Sequence, residues 1–165
     1  MKARPSTLSE DQFLAVYGGI YEHSPWVAQA VWDAGAPPDT VDAVHAAMRA
    51  VVDAAPYERR LALIRAHPDL AGRAAVAGAL SAASTAEQAG AGLDQCSPDE
   101  FAAFQELNAA YKARFGFPFV IAVRGLDRHD ILDAFRRRLA NDADAEFDTA
   151  IEQIHRIARL RLEAL

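Results

Sequence analysis

The sequence predicts an all-α fold, a single compact multi-helix bundle over residues 1–165. Three observations predict it. Helix-capping residues recur along the chain. Between the caps, apolar residues fall three and four apart, the period of one helix face. One stretch, 117–123, has the composition of a strand, but no second convincing strand exists for it to pair with.

Ser9-x-x-Gln12 reads as a capping box that opens a helix ending near Gly18-Gly19. Ser24-Pro25 reads as an N-cap followed by proline at the first helical position, with the helix running to about Gly35. Asp39 or Thr40 starts the next, with Val41, Val44, Met48, Val51 and Val52 on one side. Pro56 starts another, in which Leu61, Ile64 and His67 are three residues apart. The Ala/Gly-rich segment 69–83 reads as a loose helix or loop. Ser84 begins a short helix that Gly90 and Gly92 end. Ser97-Pro98-Asp99-Glu100 combines a proline first turn with a capping box, and Phe101, Phe104, Leu107, Tyr111 and Phe115 follow at helical spacing. Gly116 stands where a C-terminal glycine stops a helix. Residues 117–123 read as an extended segment packed between helices. Asp127 opens a helix through Phe135 and Leu139, and the last helix runs from about Ala143 to the end.

The chain has 165 residues, 52% of them hydrophobic, which suffices for one real core. A chain of this size buries about 70% of the surface its unfolded form exposes. The formal net charge is −6, and the densest basic clusters, Arg136-Arg137-Arg138 and Arg156 to Arg161, are interleaved with apolar residues in helical patterns. That excludes a nucleic-acid partner, which needs concentrated positive charge. The one cysteine, Cys96, makes an intramolecular disulfide impossible and fits a reducing compartment. With no motif around it, Cys96 reads as a packed small residue. The basic start, Met1-Lys2-Ala3-Arg4-Pro5, precedes no long apolar stretch, so no signal peptide is expected. No run approaches a membrane span. The expected location is the cytoplasm. Neither a repeat nor a linker long enough to separate two domains is present.

Three residues stand out as candidates for chemistry. His67, in His67-Pro68-Asp69-Leu70-Ala71-Gly72, is placed by its spacing at the last turn of a helix, on the apolar side. The helix dipole there favours the protonated ring and burial opposes it, a balance that suits a general acid or base. The plain alternative is a core histidine satisfied by hydrogen bonds. Glu87 completes the capping-box pattern Ser84-x-x-Glu87, which explains its spacing without any function. The same geometry leaves backbone N–H groups from Ser84 to Gln88 able to grip a polar substrate. Arg161 continues the stripe Phe147, Ile151, Ile154, Ala158 and so occupies a slot where an aliphatic residue is expected. An inward arginine needs an anion: an internal carboxylate, or a substrate carboxylate or ureido oxygen. His23, His45, His129 and His155 lack metal-ligand spacing, and no phosphate-binding loop or GxSxG elbow is present. Trp26 and Trp32 read as packing residues.

The ordered set His67-Pro68-Asp69-Leu70-Ala71-Gly72, Ser84-Thr85-Ala86-Glu87-Gln88, Leu107-Asn108-x-x-Tyr111 and Phe115-Gly116-Phe117-Pro118-Phe119-Val120 resembles the 2-oxo-4-hydroxy-4-carboxy-5-ureidoimidazoline (OHCU) decarboxylase family. The resemblance spans essentially the whole chain. It implies an all-helical fold and decarboxylation of OHCU to (S)-allantoin in urate degradation, with no metal or organic cofactor. It further implies that His67 is the catalytic acid and that Glu87 shares the catalytic site. Pro68, Ser84, Thr85, Ala86, Gln88 and the segment Phe119, Val120, Ile121, Ala122, Val123 line the substrate site, with backbone groups of that segment contacting the heterocycle. Arg161 joins the substrate-binding set from its helix position as much as from the resemblance. The expected partner is a small-molecule substrate, with no nucleic acid and no membrane. The residues do not say whether the chain dimerises; the resemblance suggests a homodimer. Two other readings stay open at this point. A ureide hydrolase on a related scaffold releases ammonia or urea rather than CO2. In a helical binding module, His67 and Arg161 are structural and turn nothing over.

Overall fold

The computed structural model describes residues 4–72 and 80–165. All regular elements among the described residues are helical. They are α1 (Glu10–Tyr17), α2 (Trp26–Asp33), α3 (Val41–Asp53), α4 (Tyr57–Arg65), α5 (Ala82–Gly90), α6 (Pro98–Phe115), α7 (Arg128–Arg138) and α8 (Ala143–Glu163), with short 3-10 turns at Pro5–Thr7 and Leu93–Gln95. The all-α expectation is met. Part of the Ala/Gly-rich segment 69–83 lies outside the described residues. The chain divides into two units, one of residues 1–66 with 154–165 and one of residues 67–153.

In the first unit, Ser9 and Gln12 form the expected reciprocal cap of α1. Thr40 caps α3 by accepting from the Ala43 N–H at 3.2 Å. The cap of α2 differs by one residue. Pro25, not Ser24, is the N-cap, already in helical conformation and without a side-chain cap bond. Proline's fixed φ lets it occupy the first turn. The Ser24 carbonyl then accepts from Val27 N–H at 3.1 Å. The core of this unit is the set Phe13, Tyr17, Val31, Val44, Met48, Val52, Ile64, Ile154, Ala158 and Leu162, all buried. Each large aliphatic or aromatic side chain there contributes about 1.5–3 kcal/mol relative to exposure. Val41 and Val51 are only half-buried, so the buried stripe of α3 is narrower than its valines imply.

The second unit is built on α6. Ser97 and Glu100 form its capping box, and Gly116 ends it at φ +76°, the left-handed conformation that glycine adopts without strain. Of the predicted stripe, Phe104 and Tyr111 are buried, whereas Phe101, Leu107 and Phe115 are half-buried; Asn108 takes the third buried position. Asp127 and Asp130 cap α7 reciprocally. Residues 117–123 form no strand. Phe119 stacks on Phe135 at 3.8 Å between centroids, and Tyr111 meets Phe117, Phe119 and Phe135 edge-on.

Burial first, and donation to Glu146 second, push the Tyr111 phenol well above its ordinary range. A group whose folded pKa is raised stabilises the protein fully below its unfolded value, about 10 for tyrosine, and that contribution fades as pH rises beyond it. We expect the melting temperature to fall above about pH 10. Tyr111→Phe should make that fall smaller in thermal melts from pH 8 to 11; identical slopes for the two proteins would contradict the assignment.

Candidate active site

His67 lies just beyond α4 rather than in its last turn. The helix ends at Arg65, and Ala66 is its C-cap. A residue preceding proline is disfavoured in helical conformation, so Pro68 stops the helix before the histidine. His67 is nonetheless 8% exposed, and Pro68 is half-buried.

The residues after Pro68 turn sharply. Ala71 adopts φ +47°, which costs a residue with a Cβ about 1–2 kcal/mol. Gly72 is required by a close approach, because a Cβ there would stand 2.8 Å from Asp69 Cβ. Side chains satisfy the backbone of this turn in place of a helix or sheet ladder. Gln88 Oε1 accepts from Ala71 N–H at 3.0 Å, and its Nε2 donates to the Asp69 carbonyl at 3.3 Å. Gln105 Nε2 donates to the Ala71 carbonyl at 2.9 Å. Asn108 Nδ2 donates to the Leu70 carbonyl at 2.9 Å. Outside them, Lys112 Nζ pairs with Asp69 Oδ2 at 2.6 Å.

The Ser84-x-x-Glu87 capping box does not form. Helix α5 begins one turn earlier, at Ala82, with Ser81 as N-cap. Ser84 N–H donates to Ser81 Oγ at 3.2 Å, and Thr85 N–H to the Ser81 carbonyl at 2.9 Å. Ser81 offers the same hydroxyl as Ser84, and the alanines at 82 and 83 favour extending the helix back to it. The N–H groups from Ser84 onward therefore do not form a helix N-terminal cradle. Ser84 and Gln88 are buried, Glu87 is half-buried, and Thr85 and Ala86 are exposed.

The 119–123 segment is held from α7 and α8. Arg138 Nη1 donates to the Val120 carbonyl at 2.7 Å, and its guanidinium lies 4.4 Å from the Phe119 ring centre. Arg138 Nη2 also pairs at 2.6 Å with Glu146, which is fully buried and accepts from Tyr111 and Asn141 as well. Ala122 N–H donates to Gln153 Oε1 at 3.0 Å. Two backbone groups expected to meet a heterocycle are thus engaged by protein side chains. Phe119, Val120, Ala122 and Val123 are buried, and Ile121 is half-buried.

Arg161 belongs to the first unit and points inward as its stripe predicts, at 9% exposure. Its Nη2 pairs with the buried Glu22 carboxylate at 2.8 Å, and Nη1 lies 3.4 Å from the carbonyls of Gly19 and Ile20. The anion it requires is present in the protein. His67, Pro68, the 84–88 group and the 119–123 segment all fall in the second unit. A cavity of about 540 Å³ in that unit is lined by Ala71, Thr85, Gln88, Cys96, Phe101 and neighbouring side chains. His67 is not among its described lining residues, so this cavity alone does not define a reaction site. Burial pushes the Cys96 thiol up, away from the reactive thiolate. Among the described residues, no group of three His, Cys, Asp or Glu is arranged to hold a metal ion, and no helix is long and apolar enough to cross a membrane.

A family model described as OHCU decarboxylase matches residues 6–163. The chain belongs to the OHCU decarboxylase family. It is 44% identical over 155 residues to the 2-oxo-4-hydroxy-4-carboxy-5-ureidoimidazoline decarboxylase of Haloferax volcanii, covering 94% of this chain and 89% of that one. The mouse protein of the same name is 39% identical over 154 residues, with 93% and 86% covered. A crystal structure of (S)-allantoin synthase superposes with a TM-score of 0.77 at 32% identity, over 96% of this chain and 51% of that one. Within this member of the OHCU decarboxylase family, sequence reasoning misses Gln105 and Glu146, and it meets Asn108 only inside a family motif and Arg138 only inside a basic cluster. Asn108 left a readable signal, a polar residue in the buried stripe of α6, the same signal that exposed Arg161. Glu146 left little, because an acidic residue in a helix's first turn is ordinary.

Ser81→Ala should destabilise the protein by about 1 kcal/mol through loss of the α5 cap. In chemical denaturation, an unchanged midpoint would return the cap to Ser84.

Proposed function

We propose that this protein decarboxylates OHCU to (S)-allantoin in urate degradation, without a metal or organic cofactor. The observation that carries the reading is the match to the family over residues 6–163, together with a buried histidine on a turn held by side chains. One functional domain over residues 1–165, acting in the cytoplasm and capable of forming a homodimer, accompanies the proposal.

Loss of CO2 leaves an electron pair on the former carboxyl-bearing carbon. The pair must delocalise into the adjacent C–N system, and one face of that carbon must then receive a proton. A site for this reaction holds the carboxylate out of the ring plane and stabilises the delocalised anion. His67 polarises the ring and supplies the proton. Glu87 accepts from N–H groups of the ureido and ring moieties, since a carboxylate only accepts. Pro68, Ser84, Thr85, Ala86 and the 119–123 segment line the substrate, and the apolar side chains of Phe119 and Ile121 lower the local dielectric. Arg161 is held by Glu22 within the first unit. Gln88 enters through the turn it holds.

The test is to generate OHCU from urate in situ, add the protein and follow optically active allantoin by circular dichroism. Wild-type protein should accelerate its appearance, and a chelator should leave the rate unchanged. His67→Ala should keep its helicity and lose about 10²–10⁴-fold in turnover, the range for a positioned acid–base group. Near wild-type turnover in that variant would remove His67 from the role. Release of ammonia or urea in place of CO2 would favour a ureide hydrolase.

A further inference from the structure

We infer that the carboxamides of Gln88, Gln105 and Asn108 are positioning residues for the reaction, acting through the turn that carries His67. The inference rests on the reading of His67 as the proton donor. Each of the three side chains contacts backbone within four residues of His67: Gln88 at Asp69 and Ala71, Gln105 at Ala71, Asn108 at Leu70. Both ends of the Gln88 amide are turned to protein backbone, at the Ala71 N–H and the Asp69 carbonyl.

Two features say that the clamp does more than fill space. Ala71 is held at φ +47°, a conformation that persists in a non-glycine residue only when its surroundings over-determine it, and such residues cluster at functional sites. Gln88 and Gln105 take the N–H and the carbonyl of that same residue. Asn108 is the second feature. The Leu70 carbonyl can only accept, so Nδ2 must face it, and Oδ1 is then buried with no donor among the described residues. A desolvated, unmatched acceptor is unfavourable for stability alone. It is tolerated here in return for one N–H placed on the turn.

The chemistry gives the placement a purpose. Delivering a proton to one face of a planar anion requires the imidazole in a fixed position, and a misplacement of about 1 Å can lower a rate about 10²-fold. Carboxamides suit the task, because each carries a donor and an acceptor and neither ionises across the working pH range.

The test compares Gln88→Met, Asn108→Leu and Gln105→Met, which keep side-chain bulk and remove the amide, with Val52→Ala, a core change in the first unit. All are assayed below the temperature at which any of them begins to unfold. The clamp variants should lose about 10–100-fold in kcat with KM within about three-fold of wild type, while Val52→Ala keeps its kcat. The His67 ring resonance, identified by its absence in His67→Ala, should shift in the clamp variants and not in Val52→Ala. Gln105 is half-buried, so Gln105→Met supplies the reading if either of the other two does not fold. An unmoved resonance with wild-type kcat in folded clamp variants overturns the inference. A rise in KM alone for Gln88→Met overturns it in favour of a substrate contact. Failure of the parent reading is seen separately, as turnover retained by His67→Ala.

Discussion

Between Asp69 and Ala71 the chain runs outside any helix, and its backbone must find partners elsewhere. Three carboxamides supply them, and the Lys112 ammonium pairs with the Asp69 carboxylate beside them. A buried carbonyl or N–H without a partner costs about 1–3 kcal/mol, so this set decides whether the turn can exist in the interior at all. The phase of two helices follows from it. Gln105, Asn108 and Lys112 lie three and four apart, one face of α6, and the Ser97 cap together with burial of Phe104 and Tyr111 fixes which way that face points. Ser81 sets α5 in the same manner, so that Gln88 is directed at the turn.

A second anchor works by charge. Glu146 is fully buried, and its cost of desolvation is offset by Arg138, Asn141 and the Tyr111 hydroxyl together. Buried ion pairs are poor sources of net stability, but they place side chains firmly. Here the placement reaches Arg138, which spans the Val120 carbonyl and the face of Phe119. The 119–123 segment is thus held without a neighbouring strand. The Arg161–Glu22 pair in the first unit has the same character, a guanidinium and a carboxylate that are both shielded from water.

How much of this could be read from the residues depends on the span of each interaction. The caps at Ser9, Thr40, Ser97 and Asp127, and the glycine stop at Gly116, close within four residues and were legible for that reason. The cap of α5 falls on Ser81 rather than Ser84 because two serines three residues apart both offer a capping hydroxyl, and only the packed helix chooses between them. His67 falls just past α4 rather than in its last turn, because the proline beside it stops the helix before the histidine. Arg161 was legible as inward-facing from its stripe, but its partner Glu22 is 139 positions away. The carboxamide partners of the turn lie 17 to 38 positions from it and leave no local pattern. Membership of the family was legible because the ordering of several short motifs survives without any knowledge of contacts.

The most direct measurement is native-state hydrogen exchange at the Ala71 amide, which donates to the Gln88 side chain and to no helical carbonyl. A turn clamped as described should exchange that proton only in openings nearly as costly as global unfolding. Exchange at the rate of an exposed loop would contradict the clamp and remove the basis for a positioned His67.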